Sequence, residues 1–144
     1  MRAPPGLRGD YVHFQTHSTR WSDNDAYGHL NNVVHYMLFD STVNGWLIAN
    51  GLLDPGRSAA IALVAETGCR YHGEMRYPQP ITAGLRVERL GTASVRYRIG
   101  LFPGDADRAA AEGFFVHVYV DKTSRRPCPV PDETRAALQA LIAR

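Results

Sequence analysis

The chain has 144 residues with 16 basic and 14 acidic side chains, a net charge of +2. That length makes one domain with its own core, and so even a balance gives no field that would argue for a nucleic-acid polymer as partner. Two cysteines, Cys69 and Cys128, form no C-x-x-C pair and stand in no His/Cys cluster of zinc-site spacing, so we read them as reduced thiols of a cytoplasmic protein. No run approaches the ~18 apolar residues of a membrane helix, and the opening MRAPPGLRGD has no apolar stretch behind its arginines, so neither insertion nor export is expected. Without repeats or linkers, residues 1–144 are expected to form a single domain.

Val12 to Arg20 alternates Val12 and Phe14 with His13, Gln15 and His17, a period of two that predicts a strand. From Asn32 the period changes. Tyr36, Phe39, Val43, Trp46 and Leu47 recur at three- and four-residue steps until Asn50-Gly51, which predicts one long helix capped by Asn31 or Asn32. Four strands are then expected, over Ile61 to Tyr71, Thr82 to Leu90, Ser94 to Phe102 and Gly113 to Asp121. The third of these is the clearest, with Val95, Tyr97, Ile99 and Leu101 on one face and Arg96 and Arg98 on the other. Turns at Gly91-Thr92 and around Pro103-Gly104-Asp105 make the last three strands antiparallel neighbours. Asp132 to Arg144 predicts a short amphipathic helix. Five strands at ~4.8 Å spacing span ~24 Å and a helix of about 18 residues is ~27 Å long, so one helix can cover one face of a curved sheet.

Between the first strand and the long helix lies RWSDNDAYGHLNNVVHY, Arg20 to Tyr36. Asp23, Asp25 and Gly28 fall at positions one, three and six of an EF-hand loop, but Tyr27 would take position five and Val34 the place of the bidentate glutamate, so calcium does not fit. Asp25, His29 and His35 lack the spacing of a zinc site. Asp23 reads best as an acceptor that braces the loop. Asp25 differs, because a carboxylate just before a helix N-terminus combines a base or nucleophile with N–H donors for a developing oxyanion. That pairing suits attack on a carbonyl.

The run D-N-D-A-Y-G-H-L-N-N, leading into the long helix, resembles the D-x-D-x-x-G-H-x-N-N signature of hotdog-fold acyl-CoA thioesterases of the 4-hydroxybenzoyl-CoA thioesterase type. The resemblance extends from about Tyr11 to Pro131. It implies an α+β hotdog fold, a five-stranded antiparallel sheet wrapped around a central helix, and hydrolysis of an acyl-CoA thioester to a free acid and coenzyme A. Asp25 would be the catalytic carboxylate, by covalent attack or by activating water, and the backbone N–H of Asn32 would polarise the thioester carbonyl. Gly28, His29 and Asn31 would lie beside the substrate. No cofactor or metal is implied, since coenzyme A is part of the substrate. A homodimer or homotetramer is implied, with two sheets joined edge to edge and each site across the interface.

Other positions carry weaker expectations. Glu66, inside an otherwise apolar strand, is a second carboxylate near the substrate or a hydrogen-bonded or interface residue. The hairpin turn LGTAS lacks the basic residues with which some relatives hold the coenzyme's phosphates, so Arg89, Lys122, Arg125 and Arg126 are the remaining candidates. His35 stands where relatives often carry tyrosine, as a pocket lining or as a helix-packed or solvent-facing residue. Trp46 and Phe39 fit helix core. Two other functions remain open from sequence: a hotdog dehydratase or hydratase, and a module that binds an acyl thioester or acyl-carrier protein without turnover.

Overall fold

A computed structural model describes residues 3–142. Its frame is one antiparallel sheet of β1 (His13–His17), β2 (Ala60–Tyr71), β3 (Ile81–Leu90), β4 (Ser94–Pro103) and β5 (Ala111–Asp121), in the order β1-β3-β4-β5-β2. The long helix α1 (Asn32–Ala49) packs on one face, and a second helix, α2 (Asp132–Leu138), follows the sheet. This is the hotdog arrangement, and the expected hairpins β3–β4 and β4–β5 form it.

The core follows from the two periods. Alternation buries Val95, Tyr97, Ile99 and Leu101 of β4 completely, while Leu38, Phe39, Val43, Trp46 and Leu47 supply the buried stripe of α1. Phe39 is the closest joint: a Cβ added at Gly113 would lie 2.3 Å from its ring, so glycine there lets the helix sit down on β5. At the far end of α1, Gly51 takes φ +69°, the conformation that ends the helix at the expected place.

Two boundaries differ from expectation. β1 stops at His17 rather than Arg20, because the buried Asp23 carboxylate accepts the Arg20 N–H at 2.8 Å and turns Trp21–Asp23 into a 3₁₀ segment. The last helix ends at Leu138 and not at Arg144: a 3₁₀ turn, Gln139–Leu141, then extended backbone bring Ile142 into a bridge beside Val87, while residues 143 and 144 lie outside the described residues. The faces of β1 also run against simple expectation. Val12 and Phe14 are exposed, whereas Gln15 donates to the Thr42 carbonyl at 2.9 Å and His17 meets the Thr42 hydroxyl at 3.0 Å. The polar side of the strand docks on α1 because it has helix polar groups to satisfy.

Candidate active site

Each part of the loop has a local cause. Asp23 is buried and its carboxylate takes the Arg20 guanidinium at 2.9 and 3.1 Å, while its carbonyl accepts the Asn31 N–H at 2.8 Å. It therefore clamps both ends of the loop, the bracing role expected of it. Gly28, at φ +78°, makes the turn that an L side chain would resist. The turn folds the chain back so that the Tyr27 and His29 N–H groups both donate to Asp25 Oδ1, at 2.8 and 3.2 Å. Asp25 Oδ2 takes no hydrogen bond among the described residues, and the half-buried carboxylate is held with one oxygen uncommitted.

Asn31 is the N-cap of α1, its side chain accepting the Val33 N–H at 3.0 Å, and the Val34 N–H goes to the Asn31 carbonyl at 2.9 Å. The Asn32 N–H is left without a partner among the described residues, at the positive end of the helix dipole. One turn on, His35 is buried and its Nδ1–H donates to the Asn31 carbonyl at 3.1 Å. That bond selects the tautomer with a bare Nε2, and burial lowers the ring's pKa, so the imidazole stays neutral.

These groups border one cavity of about 440 Å³, shared by Asp25, His29, Asn31, Asn32 and His35. The opposite wall comes from the end of β2 and the segment after it, with Tyr71, Gly73, Glu74 and Met75. Two contacts fix that wall to the loop: the Leu30 N–H donates to the Met75 carbonyl at 2.6 Å, and His29 Nε2 lies 3.0 Å from Glu74 Oε2. Tyr71 meets His35 edge-on, with ring centroids 4.8 Å apart. Sequence reasoning missed Tyr71, Glu74 and Met75 as parts of the site. The available signal was the Y-H-G-E-M run itself, a polar break directly after an apolar strand.

The structure brings together four expected site residues, Asp25, His29, Asn31 and Asn32, around the cavity, with Gly28 supplying the turn and His35 joining the lining. It does not bring the others to it, Lys122 and Arg125, exposed after β5, among them. Glu66 lies exposed beside a bulge in the edge strand β2, Arg89 is exposed near the end of β3, and Arg126 is exposed in the loop after β5. Among the described residues no group of three or more His, Cys, Asp or Glu side chains is placed to hold a metal ion. Nor is any described helix long and apolar enough to cross a membrane. A carboxylate oxygen with an open valence, near an unpaired helix N–H, is equipped to attack a carbonyl and to stabilise the charge that follows.

Comparison with known proteins bears on the family and the fold. The family model of the Thioesterase-like superfamily matches residues 19–138, which takes in the loop, α1 and strands β2 to β5. A search of the curated proteins finds no match. Among solved structures, the PA5185 protein of Pseudomonas aeruginosa is 48% identical, with 97% of this chain and 98% of that one covered and a TM-score of 0.93. A second protein of Pseudomonas aeruginosa, PA2801, provisionally named a thioesterase, is 28% identical over 89% of this chain and 98% of its own, with a TM-score of 0.81. The 1,4-dihydroxy-2-naphthoyl-CoA thioesterase of Synechocystis is 11% identical, covers 88% and 94%, and has a TM-score of 0.80, a likeness of fold alone. The chain belongs to the Thioesterase-like superfamily.

Proposed function

We propose that the protein hydrolyses acyl-CoA thioesters to a free acid and coenzyme A, in the manner of the 4-hydroxybenzoyl-CoA type that its loop resembles. The observation that carries this reading is the pairing of Asp25, with Oδ2 uncommitted, and the unpartnered Asn32 N–H on one cavity. In the covalent route the carboxylate adds to the thioester carbon, the C–S bond breaks, and the thiolate leaves to be protonated. Water then splits the mixed anhydride and restores Asp25. In the general-base route Asp25 takes a proton from the attacking water instead. Either way the Asn32 N–H and the α1 dipole meet the charge on the carbonyl oxygen. Neither route uses a metal or cofactor, and the free thiols Cys69 and Cys128 accord with a cytoplasmic setting.

The reading includes a dimer. β2 is an edge strand with Leu63, Val64 and Tyr71 exposed, and Val33 and Met37 of α1 are exposed as well. Pairing two β2 strands antiparallel would cover that edge. It would set the Ala60 end of one strand beside the Tyr71 end of the other. An apolar cavity of about 200 Å³ at the Ala60 end, lined by Leu47, Leu53, Ile61 and Tyr119, would then adjoin the partner's Asp25 site and take the acyl group. Of the expected contacts away from the cavity, Glu66 lies on this edge strand, whereas Arg89 lies on β3 and Arg126 in the loop after β5. Sedimentation at micromolar concentration is expected to give a dimer or tetramer; an active monomer would remove the shared site. The activity itself is tested by thiol release, followed with a chromogenic reagent, from short, long and aromatic acyl-CoAs.

A further inference from the structure

The sheet face turned away from α1 carries more cations than its own carboxylates neutralise. Register sets Arg86 of β3 opposite Arg98 of β4, and Arg89 opposite Arg96. Like charges directly opposite one another destabilise a strand pair. One carboxylate, Glu88, serves three of these groups, 2.8 Å from Arg96, 3.5 Å from Arg98 and 3.7 Å from Arg86. Glu112, opposite Arg70 of β2, is already engaged: it accepts the Gly6 N–H at 2.7 Å and the Tyr11 hydroxyl, with His72 at 3.6 Å and Arg98 at 3.7 Å. Arg70 has no ion-pair partner among the described residues, and Arg86 Nε is buried there without a hydrogen bond. The register thus sets Arg70, Arg86, Arg89, Arg96 and Arg98 on one face with Glu66, Glu88 and Glu112, an excess of two positive charges.

This excess borders a concavity. Arg70, Arg96, Arg98, Glu112 and Phe114 line a cavity of about 470 Å³, within the range of small-ligand sites. Its floor is built as a flat shelf. The Arg96 guanidinium stacks 4.1 Å from the Phe114 ring centre, and Gly68 leaves the ring its place, since a Cβ there would come within 2.5 Å of it. Guanidinium forks match phosphate oxygens, and a stacked aromatic and guanidinium pair offers a plane to a flat base. The Glu112 wall is tied up by its own donors, which limits its repulsion of an anion.

We propose that this cavity is a second site, distinct from the Asp25 cleft, that binds a nucleoside phosphate, with phosphate oxygens on Arg70 and Arg98 and the base against the outer face of the Arg96 guanidinium, which Phe114 backs. The assignment does not rest on the thioesterase reading. Calorimetric titration of the full-length protein with adenosine 5′-diphosphate at low ionic strength tests it, because salt screens such contacts. Saturable binding of one nucleotide per subunit is expected, weakened about tenfold or more by Arg70→Gln and by Arg96→Gln, and preserved in Asp25→Asn. Coenzyme A as competitor separates the sources of the phosphate. Displacement that is lost with Arg70→Gln names the coenzyme's own nucleotide as occupant, and simultaneous binding names a separate one. Should Arg96→Gln fail to fold, Arg70→Gln, which breaks no contact, carries the test. Absence of saturable binding, affinity unchanged in Arg70→Gln, or loss of binding in Asp25→Asn would overturn the proposal.

Discussion

The two ends of α1 cover polar groups of very different kinds. At the N-terminal end Asp25, Asn32 and His35 border open space, and the carboxylate keeps one oxygen uncommitted after two backbone donors have fixed the other. Along β5, which runs from Gly113 under Phe39 to Tyr119 beside Leu47, His117 is sealed in the core with Tyr97 edge-on at 5.8 Å. There His117 Nδ1 and Tyr97 Oη are buried with no hydrogen-bond partner among the described residues, and burial pulls the His117 pKa down to about 4. Both ends carry polar groups, and His35 is as buried as His117. What marks the first as a site is an open valence that faces a cavity, where the second has open valences that face nothing.

Removing the open valence should have the largest effect. Asp25→Asn keeps the size and most hydrogen bonds but can neither form an anhydride nor usefully take a proton. Its kcat is expected to fall by about 10² to 10⁴, roughly 3 to 5 kcal/mol of transition-state stabilisation, with Kd for an acyl-CoA changed a few-fold. Near-normal turnover by the folded variant would erase the proposed mechanism. Phe39→Ala instead attacks the packing between the two ends. Phe39 is fully buried, so we expect a loss of about 3 to 5 kcal/mol in denaturant unfolding, and a cost under about 1 kcal/mol would mean that the site does not depend on this joint.

The sealed histidine gives a pH signature. Above its ordinary pKa of 6.5 the ring is neutral in both folded and unfolded chains and adds no dependence. Between pH 6.5 and about 4 the unfolded chain takes up a proton that the folded one excludes, so stability falls with pH, by about 3 kcal/mol across that window. Burial shifts His17 and His35 in the same direction. His117→Phe should flatten this slope, and an unchanged slope would show that the ring is not sealed. The smallest change is Asp23→Asn. It loosens the clamp on the loop, so melting should drop by several degrees, about 1 to 3 kcal/mol, while kcat falls far less than in Asp25→Asn.

Much of the N-terminal end was legible in the sequence because its parts are neighbours in the chain. The loop's two carboxylates, its glycine and its capping amide lie within ten residues, and their roles follow from turn and cap chemistry. The second wall was not, since Tyr71 to Met75 reach the loop only through the strand order that places β2 at the sheet edge. The arginine face stayed hidden for a related reason. Arg96 and Arg98 read as ordinary solvated residues along β4, and only the register, with a bulge between Val87 and Arg89, sets them opposite Arg89 and Arg86. The docking of β1 by its polar side required knowing that Thr42 offers a carbonyl and a hydroxyl there.

The most direct test of the central claim is thiol release by the purified wild-type protein after exhaustive chelation, across the acyl-CoA panel. Turnover of at least one acyl-CoA is expected, with free thiol and free acid appearing in equal amounts, at a rate unchanged by chelation. No release from any member of the panel, or a rate lost on chelation and restored by one divalent ion, would contradict it.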